Sequence, residues 1–342
     1  MINQLKTKFY NKKNGLRVAF VAIILLTIII YSIANKPTND ISNKKVFPSL
    51  KNKFANIDKI IIKNNNIVTL VKDNFWHVKE KFNYPASAGY VKALLLNLAD
   101  SKIIEAKTSN KDYYTKLGLD KKHATELEIF IQDKDNKDNN KIFIKATIGR
   151  TMDILEGTYL SIEGQPNVIL ASGDLRLLSN PEKWLAPLKL TIDNNYKNVT
   201  IADTEKNSLN FIKNESSDQI RLADLKIDEK PNLDSLERLS LVLDNLPVSD
   251  LKKLTEINKN SKITLKISLE SFDKVITKAQ IYSDQDKKFL VVKYEYPENK
   301  NKEIITKVKE LNHLNGDFAF LISNEIYKIL KPNRHNYIDI VK

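Results

Sequence analysis

Residues 169–181 read ILASGDLRLLSNP, and residues 320–332 read FLISNEIYKILKP. The two align without a gap: an apolar strand end, a Ser, a small turn former, an acid, an apolar pair three apart, and a Pro nine residues after the Ser. This pattern predicts a strand feeding a short helix, with Ser172 or Ser323 as N-cap and Asp174 or Glu325 beside the positive helix end. Pro181 and Pro332 then end those helices.

Working outward, the same order of elements is found on both sides. IDKIIIKNNNIVTLVKDNFWHV (57–78) holds three strand-like runs, the first two separated by Asn64, Asn65 and Asn66. YPASAGYVKALLLNLADSK (84–102) has helical spacing, with Val91, Leu94, Leu95 and Leu98 on one face. TELEIFIQ (125–132) and KIFIKATIG (141–149) alternate with period two, and TYLSI and NVILA complete the set. In the second half NVTIAD, SLNFIK and QIRLA stand for the early strands, and KITLKISLE matches TELEIFIQD. Leu239, Val242, Leu243 and Leu246 repeat the helical face at a constant offset of 148. The expectation is an α+β protein: a single N-terminal transmembrane helix, then two repeated domains of short, mostly antiparallel strands, each with one main helix and short capping helices. The segments expected are a basic tail (1–17), an anchor (18–34), a linker (35–53) and repeats at 54–186 and 194–342.

The anchor is VAFVAIILLTIIIYSIA, Val18 to Ala34. Seventeen uncharged residues make a helix of about 26 Å, enough for a bilayer's hydrocarbon core. Lys6, Lys8, Lys12, Lys13 and Arg17 precede it with no acid, which keeps the N-terminus cytoplasmic and sends the rest across. Ser32 and Ala34 also fit a signal-peptide cleavage site, but the run exceeds the usual apolar region of about 7–15 residues, so an uncleaved anchor is expected. NKPTNDISNKK (35–45) is polar and leads off the membrane. The expected address is therefore the inner (cytoplasmic) membrane, single-pass, with the C-terminal part periplasmic or otherwise extracytoplasmic.

The chain has 342 residues, a net charge of +13 and no cysteine. Absent cysteine removes disulfides, thiolate metal sites, thiol nucleophiles and the acylated cysteine of a lipoprotein. Five of the thirteen excess charges lie in the tail, and the others form no Arg-rich or Lys-aromatic stripe, so nucleic acid is not expected as a partner. No phosphate-binding glycine loop or nucleophile elbow is present among only eight glycines. Gly118, Gly149, Gly157, Gly164 and Gly173 fit turns between strands.

Candidate chemistry is sparse. His77, His123, His313 and His335 have no ligand spacing. In DNFWHV (73–78), strand alternation puts Trp76 and Val78 on one face, with Trp76 as core anchor, and Phe75 and His77 on the other, with His77 at the rim. Glu126 and Glu128 share a strand face about 7 Å apart, within the range of paired catalytic carboxylates, but alternate positions there simply face water, with Lys145 opposite. Asp133 to Asn140 opens like a calcium loop at Asp133 and Asp135, then fails at Lys137, Asp138 and Ile144. No catalytic, cofactor-binding or metal-binding residue is assigned, and no cofactor is expected.

Taken in order, FWHV (75–78), YPASAGYVKALLLNLADSKI (84–103), YYTKLGLD (113–120), IGR (148–150), GTYLSI (157–162), VILAS (168–172) and PEKWL (181–185) resemble an uncharacterised bacterial family, domain of unknown function number 4340. The resemblance covers residues 54 to 186 well and the second half weakly, and departs at Arg150 and the following TMDILE. It implies an N-terminally anchored envelope protein beside ABC-type export permeases and gliding-type auxiliary proteins, and it carries no catalytic residues. The expected function is a non-enzymatic accessory or scaffold that binds a membrane partner, such as an ABC permease complex. The alternatives are a module binding an envelope polymer or small molecule in a cleft between the repeats, and an unrecognised hydrolase.

Overall fold

The computed structural model describes residues 41–132, 140–154, 156–192, 195–215 and 218–340. The anchor Val18–Ala34 and most of the Asp133–Asn140 loop lie outside these. Among the described residues no helix is long and apolar enough to cross a membrane. Lys45–Lys342 forms one compact unit.

The α+β expectation is corrected: the described residues fold mainly as antiparallel sheet, nineteen strands in three sheets, with few helices. In chain order the strands of the first half are β1 (Ile57–Lys63), β2 (Ile67–Lys72), β3 (Trp76–Val78), β4 (Tyr84–Pro85), β5 (Ile103–Ala106), β6 (Thr125–Gln132), β7 (Asn140–Met152), β8 (Gly157–Ile162) and β9 (Ile169–Ser172). The second half has β10 (Asn198–Asp203), β11 (Ser208–Ile212), β12 (Arg221–Leu222), β13 (Glu229–Pro231), β14 (Asp250–Lys253), β15 (Lys262–Glu270), β16 (Ile276–Asp284), β17 (Lys287–Glu295), β18 (Phe318–Ile322) and β19 (Ile338–Ile340). The α-helices are α1 (Ala88–Asp100), α2 (Leu233–Asp244), α3 (Lys302–Asn315) and α4 (Asn324–Leu330). The largest part of the added sheet is Ile276–Glu295, a hairpin with period-two burial in which Ala279, Ile281, Leu290 and Val292 face inward, and the short strands β4, β5, β13, β14 and β19 supply the rest.

The first sheet runs β4-β3-β2-β1-β6-β7-β8-β9-β5 and the second β12-β11-β10-β15-β16-β17-β18-β14. Leaving out β4, each strand number of the first becomes its counterpart in the second on adding nine. β13 and β19 pair apart from both. The second half also inserts α3 between β17 and β18, where the first half has only a turn between β8 and β9.

The opening pair of segments comes out differently in the two halves. Ser323 caps α4, its hydroxyl accepting from the Ile326 amide at 3.2 Å. No helix follows Ser172. Its hydroxyl accepts from the Lys102 amide at 2.9 Å, Gly173 turns the chain at φ +90°, and Asp174 takes the Arg176 guanidinium. With its cap consumed by a neighbouring strand, 173–180 stays irregular, and Pro181 starts a 3-10 turn (Pro181–Trp184) instead of ending a helix.

Two further expectations shift. The linker expected to 53 is short, because Val46, Phe47 and Leu50 are buried and Lys45 bridges to Lys102. Trp76 is not the core anchor: it is half-buried in a three-residue strand, while Val78 beside it is fully buried. The buried tryptophan is Trp184, whose indole donates to the Leu178 carbonyl at 2.8 Å.

The halves meet through the segment that leads into β4 and through Tyr84 of β4 itself. Tyr84 meets Phe318 and Phe320 edge-on, and Phe82 lies 5.7 Å from Phe318. Lys81 pairs with Asp250 at 2.7 Å. The Tyr84 hydroxyl donates to Asn315 at 3.1 Å in a buried site. The connecting segment adds bridges from Leu185 to Ala86 and from Leu188 to Leu246.

Candidate functional site

The residues weighed for chemistry stay apart. His77 is held by the Asn83 carbonyl and Asp73, both at 2.9 Å, with Phe75 at 4.4 Å between ring centroids. His123 sits on Asp120, His313 on α3 and His335 in a 3-10 turn. Among the described residues no group of three or more His, Asp or Glu side chains could hold a metal. Glu128 pairs with Lys63 at 3.2 Å, while Lys145, opposite it in register, pairs with Glu163 instead. Glu128 is thus charge-compensated on the sheet face, and Glu126 is exposed beside it. The glycines of KLGLD and IGR have a steric role: a Cβ on Gly149 would come within 2.4 Å of the Leu117 carbonyl and one on Gly118 within 2.8 Å of the Arg150 amide.

The open features of the surface centre on α2. Asn232 caps it, accepting from the Ser235 amide at 3.0 Å. Leu236, Leu239, Val242 and Leu243 are buried, which is the spacing of one helical face. The helix has two more leucines than that face accommodates, and Leu233 and Leu241 are 59% and 60% exposed. Leu241 forms a crest between two grooves. One, of about 610 Å³, lies against α4 and is lined by Ser235, Arg238, Leu241, Glu325, Lys328 and Tyr337 among others. Its counterpart in the first half is a smaller groove of about 170 Å³ between α1 and the irregular 174–178 segment. Tyr90, Ala93 and Leu94 there stand at the same offset of 148 from Arg238, Leu241 and Val242. The first groove is mostly apolar and the second carries charge.

The other groove beside α2, of about 410 Å³, is lined by Leu233, Glu237, Ser240, Asp244, Asp218 and Lys213 among others. Lys213 follows β11 on the same parity as Leu209 and Phe211 and is only 4% exposed. Its ammonium lies 4.1 Å from the centre of the Tyr196 ring, an arrangement that offsets part of the cost of desolvation. Burial pulls the Lys213 ammonium below the ordinary lysine range, against the opposing pull of Asp244 and Asp218. Burial also raises the Asp244 carboxyl, opposed by a 2.8 Å hydrogen bond from Thr191 and by Lys213. The buried Tyr196 hydroxyl, 2.8 Å from Ser240, is pushed up to about 12. Shifted groups in a depression are a reason to consider catalysis. Here, however, the amine is sealed beneath a ring and compensated by acids, so it forms a wall of the groove.

The sequence reading missed Lys213, Leu233 and Leu241, and two signals could have found them. Period two puts Lys213 on the buried side of its strand, and α2 has more leucine than one face can bury. The cleft that a small-molecule reading needs is filled by Tyr84, Phe318 and Phe320, and none of the five depressions described takes its lining from both large sheets. No family model matches the chain, and no curated protein or solved structure matches it.

Proposed function

We propose that this chain is a non-catalytic accessory protein of the cell envelope. In this reading Val18–Ala34 anchors it in the cytoplasmic membrane, N-terminus inside, and the extracytoplasmic part holds another membrane-associated protein. The observation that supports a binding role is the pair of exposed leucines on α2, Leu241 between two grooves and Leu233 within one of them. Exposed leucines beside open grooves suit protein contact better than chemistry. The anchor rests on the apolar run and the five positive charges before it. The transport partner, an ABC-type permease complex, rests on the resemblance of residues 54–186.

The test is affinity purification of the tagged full chain from detergent-solubilised membranes. A permease subunit should co-purify at a constant ratio through successive columns. Recovery of the chain without any transport subunit, together with unchanged permease assembly in a deletion strain, overturns the proposal.

A further inference from the structure

We infer that Asn315 is a site of spontaneous deamidation, one that opens when the two halves part and, once modified, keeps them from closing again. Among the described residues Asn315–Gly316 is the only place where a glycine follows an asparagine. In such a pair the backbone nitrogen after the asparagine is least screened from its side chain, because glycine has no Cβ. The fold sets the pair at the end of α3, inside the contact that joins the halves. The Tyr84 hydroxyl donates to Asn315 Oδ1 at 3.1 Å, and Asn315 Nδ2 donates to the Tyr294 hydroxyl at 3.5 Å. This inference goes beyond the accessory role and does not depend on it.

In the closed molecule the reaction is held off. Asn315 is 2% exposed, and the Gly316 amide donates to the Asn312 carbonyl at 2.8 Å. On a helix, moreover, a side chain leans towards the N-terminus, away from the backbone nitrogen that follows it. Helix ends fray at little cost, so this one is kept closed by the Tyr84 hydroxyl and, nearby, by the Lys81 pair to Asp250, both supplied by the first half. With the halves apart, the Gly316 nitrogen gives its proton to hydroxide and attacks Asn315 Cγ. A C–N bond forms, the bond from Cγ to Nδ2 breaks, and Nδ2 leaves as ammonia after taking a proton from water. Water then opens the resulting succinimide at either carbonyl, to aspartate or to isoaspartate. The net change is hydrolysis of the amide, with no oxidation or reduction.

The product does not fit the closed site. One carboxylate oxygen still accepts from Tyr84, but the other replaces a donor, and the Tyr294 hydroxyl it faces already gives its proton to the Lys189 carbonyl. A buried charge lacks a partner there. The isoaspartate form also carries the main chain through an extra carbon, which breaks the helical spacing at the end of α3.

The experiment holds the purified full-length chain at mildly alkaline pH and follows deamidation at 315 by peptide mass spectrometry, beside a synthetic peptide of residues 309–319 that sets the unprotected rate. Reaction from an open state scales with the population of that state, so wild type should react at least about a hundredfold more slowly than the peptide. Tyr84→Ala with Lys81→Ala should react at least about tenfold faster than wild type, and Tyr84→Phe, which removes only the hydroxyl, should fall between. Leu170→Ala controls for general weakening: it opens a cavity in the core at β9, far along the first sheet from β4. It should stay within about twofold of wild type. Wild type reacting as fast as the peptide, no acceleration in either Tyr84 variant, or equal acceleration by Leu170→Ala each overturns the gate. For the product, the deamidated fraction of aged wild type, separated by charge, is unfolded in urea beside untreated protein. Its midpoints by tryptophan fluorescence, which follows the first half, and by circular dichroism should separate, and Asn315→Asp should behave likewise. Coincident midpoints in the aged fraction overturn the claim that modification keeps the halves apart.

Discussion

The two tryptophans show how little residue type alone says about energetics. Trp184 is 2% exposed and hydrogen-bonded, whereas Trp76 is half-buried in a three-residue strand next to the short edge strand β4, which pairs with its neighbours His77 and Val78 only. Removing a buried indole costs about 3–5 kcal/mol, transfer and cavity together. Trp184→Ala should therefore lower the stability of the fold by about that amount in urea unfolding, and Trp76→Ala by clearly less. Phe82 sits at φ +56°, a left-handed conformation that costs a non-glycine residue about 1–2 kcal/mol. It persists there because the ring reaches Phe318. Phe82→Gly and Phe82→Ala both lose that contact, but only the alanine keeps the strain, so the glycine variant should be the more stable by about 1 kcal/mol. Glu229 is held in a two-pronged pair with Arg334, and that hydrogen-bonded charge keeps its carboxyl near 2, below its ordinary value of 4.5. A depressed carboxylate stabilises the fold above its unfolded value and loses that contribution as the pH falls through the folded one. Wild type should accordingly lose stability between about pH 5 and about pH 2, and Glu229→Gln should flatten that limb of the chemical-unfolding profile.

At the scale of elements, one sequence pattern meets two outcomes because a neighbouring strand competes for the cap. Ser323 is free to accept from the start of α4, so Ser323→Ala should cost about 1 kcal/mol and reduce helicity by circular dichroism. Ser172 is bound to Lys102 across the sheet, so Ser172→Ala should leave helicity unchanged. This contrast also marks what could be read without coordinates. Strands β1, β2 and β3 were legible from the three-asparagine turn, α1 from Val91, Leu95 and Leu98, and β6 and β7 from alternation. The β16–β17 hairpin was not: its two-residue turn is Gln285–Asp286, which lacks the Asn-Gly signature, and Gln285 itself takes the positive φ that glycine would supply. Helix α3 was legible from Ile304, Ile305, Val308, Leu311 and Leu314, which recur at helical spacing, but it has no counterpart in the first half to match it against. Only Val308 and Asn315 on it are buried, and Asn312 holds it to β17 by bonding both backbone groups of Tyr294. The open face of α2 was partly legible, since Lys213 and the surplus leucines break the periodicity around them, but the charge lining its two grooves depends on Lys328 and Asp218, which only the tertiary fold brings beside α2.

At the scale of the molecule, the two large sheets share a strand order yet behave as one compact unit because one short segment of the first half is built into the second. Tyr84 is 3% exposed, its ring lies against Phe318 and Phe320, and its hydroxyl donates to Asn315, which in turn donates to Tyr294 at 3.5 Å. Tyr294 donates to the Lys189 carbonyl in the connecting segment. Tyr84→Phe keeps the ring and strands the Asn315 oxygen in a buried site, which costs about 1–3 kcal/mol while leaving the halves packed. Tyr84→Ala with Lys81→Ala removes the rings' partner and the pair to Asp250 together. Both tryptophans, Trp76 and Trp184, lie in the first half, so their fluorescence follows that half alone, whereas far-ultraviolet circular dichroism follows both sheets. In wild type and Tyr84→Phe the two signals should unfold at one denaturant midpoint, as a single cooperative unit requires. In the double variant the fluorescence and dichroism midpoints should separate, because each sheet keeps its own core once the contact between them is cut. Coincident midpoints in the double variant would mean that the connecting bridges at Leu185 and Leu188, rather than the Tyr84 contact, couple the halves.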